Sequence, residues 1–328
     1  MKRFAAHGMD LIVCAFAVAV SQFVPSSANA AYPERPIRLI VPSAAGGGPD
    51  IGSRLIAAEL TKQMGQNVVV ENRAGASGVI GTEAIVRATP DGYTFGQGNF
   101  NSMNANRIVM AKLPYNPDKD LQPIVFAYMS RNMLAVNRAL PVNSVSDLIA
   151  HAKANPGKLM YGSVGVGSSM HFSGALFCLL TSVDMRHVPY KGAPAAITDI
   201  IGGQIHMMFD NIQSISPHVA AGRLRGLAVT TAKRADSHPD LPTVGETIPG
   251  FEIAPWAGYI VPAGVPRPIV QRLNAELNKA LTVPAVRDKL IGMGLDPRGG
   301  TPEEFAQFIK KEVAKWSDVA KRANVRME

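Results

Sequence analysis

The chain has 328 residues, 33 Lys and Arg against 25 Asp and Glu, a formal charge of +8 and only two cysteines. A chain of this length buries a core without covalent staples, so a disulfide scaffold is excluded, and at roughly 100–200 residues per domain two lobes are the natural expectation. The basic residues are scattered and do not interleave with aromatics, so the excess charge reads as a mild field drawing in small anions rather than as a nucleic-acid surface.

Lys2 and Arg3 open the chain, an uncharged apolar run occupies 11–20, and Ala28, Asn29 and Ala30 form a small-x-small cleavage site. These are the three parts of a secretory signal peptide. The run is too short for a spanning helix, which needs about 20 residues. Cleavage is expected after Ala30, giving a mature periplasmic chain from Ala31. Cys14 belongs to the leader, which leaves Cys178 alone and no intramolecular disulfide. Lys2, Arg3 and Asp10 leave with it, so 31 of the 33 basic and 24 of the 25 acidic side chains remain, a net charge of +7.

Short β-branched runs then alternate with helical ones. Residues 37–41 read as a strand, broken by Gly46, Gly47 and Gly48. Ile51, Leu55 and Ala58 share one helical face, and Gly65 ends that helix. Residues 67–70 form the next strand, a glycine-bearing loop spans 73–78, a helix covers 82–88, and Pro90-Asp91-Gly92 turns into a strand at 93–95. A second set begins after Val136. Ser144 with Asp147 suits a helix start, Leu148, Ile149 and Ala152 supply its face, and Pro156-Gly157 stops it. Strands follow at 159–162, 186–188, 206–209 and 226–230, with helices between. This alternation predicts parallel sheet and an α/β class. Residues 235–250, with Pro239, Pro242 and Pro249, read as a connecting segment. The end is helical: Leu273, Leu277 and Leu281 continue one face, Thr301-Pro302-Glu303-Glu304 is a capping box, and Phe305, Phe308, Ile309, Val313 and Trp316 form a core stripe. There is no internal repeat.

Enzyme signatures are absent. Gly75-Ala76-Ser77-Gly78 fails the spacing of a nucleophile elbow, Gly165-Val166-Gly167 is followed by Met170 where a dinucleotide fingerprint needs glycine, and no phosphate loop, His-Glu-x-x-His or Cys-x-x-Cys occurs. Neither a metal nor a cofactor is expected, and Cys178 among Leu176, Phe177, Leu179 and Leu180 reads as an inert core thiol. What remains are two glycine- and serine-rich loops, each at a strand end and opening a helix: 44–50 and 163–171. Glycine lets backbone N–H groups approach a ligand, and a helix start adds free donors and a partial positive charge, a combination that holds a carboxylate without a buried cation. Each loop alone is equally readable as a tight β–α turn.

An ordered series of motifs runs from Tyr32 to about Val325. It includes Tyr32-Pro33-Glu34-Arg35-Pro36, the loop 44–50, Val70-Glu71-Asn72-Arg73-Ala74-Gly75, Pro90-Asp91-Gly92-Tyr93-Thr94, and Tyr161-Gly162-Ser163 with Gly167, Ser168 and His171. His187-Val188-Pro189-Tyr190-Lys191-Gly192, Gly202-Gly203-Gln204, Phe209-Asp210 and Leu241-Pro242-Thr243-Val244 complete it. The set resembles the Bug-type solute receptors of tripartite tricarboxylate transporters. The resemblance implies a two-lobed Venus-flytrap fold with lobes at 31–134 plus 257–328 and at 135–256. It also implies a receptor that binds a di- or tricarboxylate, an acidic amino acid or an aromatic acid, with transporter subunits in the membrane as partners; the leader and the lack of a later spanning segment make a soluble periplasmic monomer the expectation. One departure stands out: Pro49 occupies a position where the family commonly has Thr or Ser, which removes an N–H and a hydroxyl from the loop.

Both lobes are expected to contribute to one cleft. The first supplies Gly46, Gly47, Gly48, Asp50, Asn99, Phe100, Asn101 and Ser102; the second supplies Ser163, Gly167, Ser168, Ser169, Tyr190 and Asp210. Met208 and Phe209 either line it beside Phe100 and Tyr190 or face the core. Hinge strands are expected near 133–136 and 254–258. Two other functions fit parts of the pattern: a sensor handing its ligand to a signalling partner, and a periplasmic enzyme with Ser168 or Ser169 as nucleophile and His171 as base.

Overall fold

The first strand, β1 (Ile37–Val41), buries every side chain except Arg38, which requires strands beside it and cover on both faces. In the computed structural model, which describes residues 32–322, β1 lies between β2 (Val68–Asn72) and β3 (Thr94–Asn99), parallel to both. The sheet continues through β10 (Trp256–Pro262), antiparallel to β3 and to β4 (Leu121–Met129), and ends at the short edge strand β11 (Asp296–Pro297). A second, five-stranded sheet holds β5 (Asn132–Asn137), β6 (Met160–Ser163), β7 (Arg186–Pro189), β8 (Met207–Asn211) and β9 (Leu224–Val229), in the order β7-β6-β8-β5-β9. The expected leader and its cleavage site lie outside the described residues.

The parallel pairing expected from the alternation holds for β1 to β3 and for β6 with β7 and β8. It fails at β5 and β10, which run antiparallel to their neighbours. Both are strands that enter a sheet from the other one. A chain arriving from the opposite lobe starts at the cleft edge, so Trp256 pairs with Met129 and Ala257 with Asn99, and Asn132 pairs with Asn211. The chain crosses at Ser130-Arg131 and again just before Trp256. β5 thus belongs wholly to the second sheet, and the first crossing precedes the expected 133–136. The crossings touch: the Ser130 N–H donates to the Pro255 carbonyl at 2.6 Å.

The helices follow their sequence signals. α1 (Gly48–Met64) begins at Gly47 with Pro49 in its first turn and ends at Gly65, whose φ of 69° lets its N–H reach the Thr61 carbonyl. α11 (Pro302–Arg322) starts at the expected capping box, with Glu304 N–H on Thr301 Oγ1 at 3.1 Å and Thr301 N–H on Glu304 Oε2 at 2.8 Å. Its stripe buries Phe305, Ile309 and Trp316. Trp316 meets Phe100 edge-on at 5.1 Å and, across the lobes, Phe172 of α5 (Ser169–Thr181) at 5.8 Å. One buried apolar cluster thus runs from Ile40 of the first lobe to Phe209 of the second, and the two lobes are closed on one another. Cys178 stands beside that cluster, half-buried, and burial raises its thiol to about 11, an inert protonated form.

Arg131 fixes the first crossing. Its guanidinium takes Asp296 in a two-pronged contact at 3.1 and 2.9 Å and the Gly294 carbonyl at 3.1 Å. We predict that Arg131→Ala lowers unfolding free energy by about 1–2 kcal/mol, because the arginine is largely buried and doubly bonded while the aspartate is partly solvated. Arg131→Lys restores little of this, lacking the fork. Urea midpoints measure it; an unchanged midpoint for Arg131→Ala contradicts the assignment.

Candidate functional site

The C-terminal ends of β1, β3 and β8 and the N-terminal end of β10 meet along the line where the sheets face each other. A cleft lies there between the closed lobes, with about 760 Å³ of empty space counted out to its mouth. This is the expected place for a ligand in an open α/β sheet. Its wall includes Gly47, Gly48, Asn99, Phe100, Asn101, Ser169 and Asp210 from the expected set.

The other expected residues do not line the cleft, and each has a structural task. Asp50 organises the first glycine loop: its carboxylate accepts from Gly46 N–H at 2.9 Å, from Asn72 Nδ2 at 2.9 Å and from Arg54 at 2.9 Å. Burial opposes its charge, but these donors outweigh burial and hold its carboxyl below the usual range. Ser102 closes a reciprocal cap with Asn99 at the start of the helical segment Phe100–Ala105. Tyr190 is tied to Asp199 at 2.7 Å. Met208 and Phe209 are core residues, Phe209 packing on Phe177 and Phe251.

The second glycine loop spends its donors on itself and on the opposite lobe. Gly165 N–H goes to Ser163 Oγ at 3.0 Å, Gly167 N–H to His171 Nδ1 at 3.2 Å, and His171 N–H to Ser168 Oγ at 3.2 Å. Ser169 N–H crosses to Asn101 Oδ1 at 3.1 Å, and Ser77 Oγ donates across to the Val166 carbonyl. Ser77 and its neighbour Ala76 hold positive φ, a conformation non-glycine residues adopt only under constraint. This loop closes the lobes. His171 stacks on His187 with centroids 4.0 Å apart; burial above all, and for His171 its neighbour too, lowers them to about 3 and about 4, so both are neutral. The ring of His171 faces Gly167, not the hydroxyl of Ser168, which donates to the Gly165 carbonyl at 2.7 Å.

Three helix starts open on the cleft without a side-chain cap. α1 has Gly47 as N-cap, α6 (Ala193–Ile201) has Gly192, and α7 (Ile212–Ala220) has Asn211, whose amide is turned away to Asn132 Oδ1 at 3.0 Å. Helix starts leave first-turn N–H groups short of helical partners, although here Asp50 N–H turns to the Gly47 carbonyl at 3.0 Å, Ile212 N–H to the Arg131 carbonyl at 2.9 Å, and Pro49 and Pro194 have no N–H; each start carries the positive end of a helix dipole. Lys191, exposed at the rim, adds a cation. Sequence reasoning passed over Lys191, Gly192, Asn211 and Gln213, although Lys191-Gly192-Ala193-Pro194 carries the same strand–glycine–helix signal as the first loop. Pro49 lines the cleft and donates nothing; its carbonyl accepts from Gln97 Nε2 at 3.2 Å.

Five buried polar atoms of the wall have no hydrogen-bond partner: Gln97 Oε1, Ser130 Oγ, Asp210 Oδ1, Gln213 Oε1 and Trp256 Nε1. Such atoms are rare in a folded protein, and each calls for a water, an ion or a structural reason. Asp210 is fully buried, and among the described residues no cation is paired to it. Burial raises its carboxyl to about 7 against the opposing pull of Ser214 and the Asn211 N–H. Ser214 Oγ lies 2.5 Å from Asp210 Oδ2 and 2.9 Å from the Asn211 carbonyl. One hydroxyl proton cannot serve both, so both contacts are bonded when Asp210 carries a proton on Oδ2.

Two sheets, two crossings and a cleft ringed by helix starts define a solute-binding protein of the periplasmic type. The chain belongs to the tripartite tricarboxylate transporter family receptors (TctC), whose family profile matches residues 53–325. It is 34% identical over 306 residues to the protein BugT of Bordetella pertussis, covering 93% of this chain and 94% of that one. Among solved structures it is similar to R. palustris Rpa4515 with adipate, at 38% identity and a TM-score of 0.88 over 90% of this chain and 99% of that one. It is also similar to MatC of Rhodopseudomonas palustris with bound malate, at 32% identity and a TM-score of 0.83 over 88% and 99%.

Two predictions test this geometry. A Cβ added at Gly48 would stand 2.5 Å from Gln213 Nε2 and 2.7 Å from Asn211 Cβ. Gly48→Ala therefore holds the lobes apart: calorimetry should read a roughly tenfold or greater loss of affinity for any acid the wild type binds, with unliganded stability kept or raised, since alanine suits a helix better than glycine. Equal affinity would contradict the closed contact. For Asp210, the unfolded carboxyl releases its proton near 3.8 and the folded one near 7. The folded state binds more protons in that window, so stability is lost as pH rises through it, by ~4 kcal/mol if the whole shift is expressed. Urea unfolding of the unliganded wild type and Asp210→Asn at pH 5 and pH 8 should show the wild type losing ~2.6 kcal/mol, the part of this increment that falls between those pH values, relative to the variant; parallel pH dependence would contradict it.

Proposed function

We propose that this receptor captures a small carboxylic acid in the interlobe cleft and delivers it to the membrane subunits of a tripartite tricarboxylate-type transporter, after export to the periplasm and removal of residues 1–30. The observation that carries the reading is the convergence on one cleft of three helix starts without side-chain caps, marked there by Gly48, by Ala193 and by Asn211 with Gln213. Backbone donors and helix dipoles suit an anion with planar oxygens, and a closed cleft strengthens them by excluding water. Lys191 contributes attraction at the rim, where solvent screens it. The two relatives whose structures hold adipate and malate support a dicarboxylate.

The carboxylate grip belongs to Gly48, Gly192 and the first turns behind them, while Gly47 N–H is held by the Ala44 carbonyl at 3.2 Å. Asn99, Phe100, Asn101 and Ser169 shape the wall and lock the lobes. Gly46, Asp50, Ser102, Ser163, Gly167, Ser168 and Tyr190 support it from behind.

A thermal-shift screen of carboxylic acids identifies binders, since a ligand at a hundred times its dissociation constant stabilises by about 2.7 kcal/mol. Converting one carboxylate of a confirmed binder to its primary amide should weaken binding by roughly a hundredfold, because charge-assisted hydrogen bonds to the anion are lost. A neutral amide that binds as tightly as the acid would overturn the reading.

A further inference from the structure

At the second glycine loop the lobes hold one another directly, through groups that each lobe sets in place by itself. On the first lobe the group is the Ser77 hydroxyl. Ser77 has a φ of 53° and Ala76 before it a φ of 46°, a left-handed backbone that a residue with a side chain keeps only where its surroundings impose it. Bonds within the first lobe impose it: Gly78 N–H donates to the Gly75 carbonyl at 2.9 Å, and Asn106 Nδ2 donates to the Ser77 carbonyl at 3.2 Å. The buried Ser77 hydroxyl then points across the gap and donates to the Val166 carbonyl.

The receiving loop is built in the same way. Gly165 N–H donates to Ser163 Oγ at 3.0 Å, and Ser168 Oγ donates to the Gly165 carbonyl at 2.7 Å, both within the second lobe. Gly165 has a φ of 119°, and a Cβ on it would stand 2.6 Å from Ser77 Oγ. Its bare Cα is thus the hole that the hydroxyl fills. Gly167 makes similar room for Val109, whose Cγ2 would lie 2.8 Å from an added Cβ. A second bond stands beside the first: Asn101, its own N–H held by Asn99 at 3.0 Å, accepts Ser169 N–H at 3.1 Å.

We propose that Ser77 is a positioning residue for ligand retention: a hook preset in the first lobe, whose bond to Val166 latches the closed lobes and slows the release of any acid the cleft holds, by the same factor for each. The inference rests on the carboxylate-receptor reading and adds to it a residue that acts through closure and not through the ligand. The left-handed backbone is held inside one lobe, so its cost is present in the open and closed forms alike and does not oppose closure. Neither partner of the bond is reorganised when the lobes meet, so its net worth goes to the closed form. No ligand atom takes part, so every ligand gains equally. Ligand enters the open form, so the gain falls on dissociation rather than on association.

The test compares the mature wild type with Ser77→Gly, which removes the hydroxyl and suits the left-handed backbone, and with Ser77→Ala, which removes the hydroxyl alone. Adipate and malate are the probes. Stopped-flow fluorescence of Trp256 in the cleft wall, followed over a range of acid concentrations, gives both rate constants. Both variants should release both acids roughly three- to tenfold faster, by one factor for the two acids and with association rates kept. Thermal unfolding without ligand should place Ser77→Gly at or above the wild type, which separates faster release from a loss of fold. Unchanged dissociation rates would overturn the latch while leaving the carboxylate receptor standing. So would factors that differ between the two acids by about threefold or more, since Ser77 would then be touching the ligand. Failure of both acids to bind the wild type would remove the carboxylate reading and this inference together.

Discussion

The direction in which the chain must enter each sheet governs the rest of the molecule. A strand that returns from the opposite lobe begins at the edge where the lobes face each other, so β5 and β10 start at the cleft and run against their neighbours. The parallel strands end at the same edge. Their helices therefore begin there, and α1, α6 and α7 bring uncapped first turns to one wall. Connectivity alone thus produces a cleft lined by N–H groups and positive dipole ends, before any charged side chain is placed.

Side chains then divide the labour. The second glycine loop, with Ser77 and Asn101 facing it from the first lobe, consumes its donors in holding the closed form. The first loop is stiffened by Asp50, which holds Gly46 N–H, and by the Ala44 carbonyl, which holds Gly47 N–H, while Gly48 lies against Asn211 and Gln213 of the other lobe. Closure shifts an open–closed balance only by the ligand's preference for the closed form. A closed form with such polar cross-contacts and with Phe100, Phe172 and Trp316 packed together lies within reach of modest ligand contacts.

Much of this was legible in the residues. Gly46 to Gly48, with Pro49 in the first turn, announced a helix start behind a strand, and the box at Thr301 and Glu304 announced α11. Both are local signals that need no tertiary context. The ordered motif series pointed to the family, and the family profile bears that out. The sequence could not say which loop spends its donors internally, because the partners of Gly165, Gly167 and Ser169 are Ser163, His171 and the distant Asn101. Antiparallel entry of β5 and β10 was likewise hidden, since strand direction depends on pairing between residues more than 70 apart, as with Asn132 and Asn211. Gln97, Ser130, Gln213 and Trp256 carried no motif. Only burial without a hydrogen-bond partner marks them.

The central claim is that uncapped helix starts, rather than a cation or the second glycine loop, hold the ligand's carboxylate. A crystal structure of the mature protein with a binding acid tests it most directly. The account predicts carboxylate oxygens at about 2.9 Å from N–H groups in the first turns of α1, α6 or α7, with the lobes closed as they are here. A carboxylate seated on the 163–168 loop, or held by Lys191 with those N–H groups left to solvent, would contradict it.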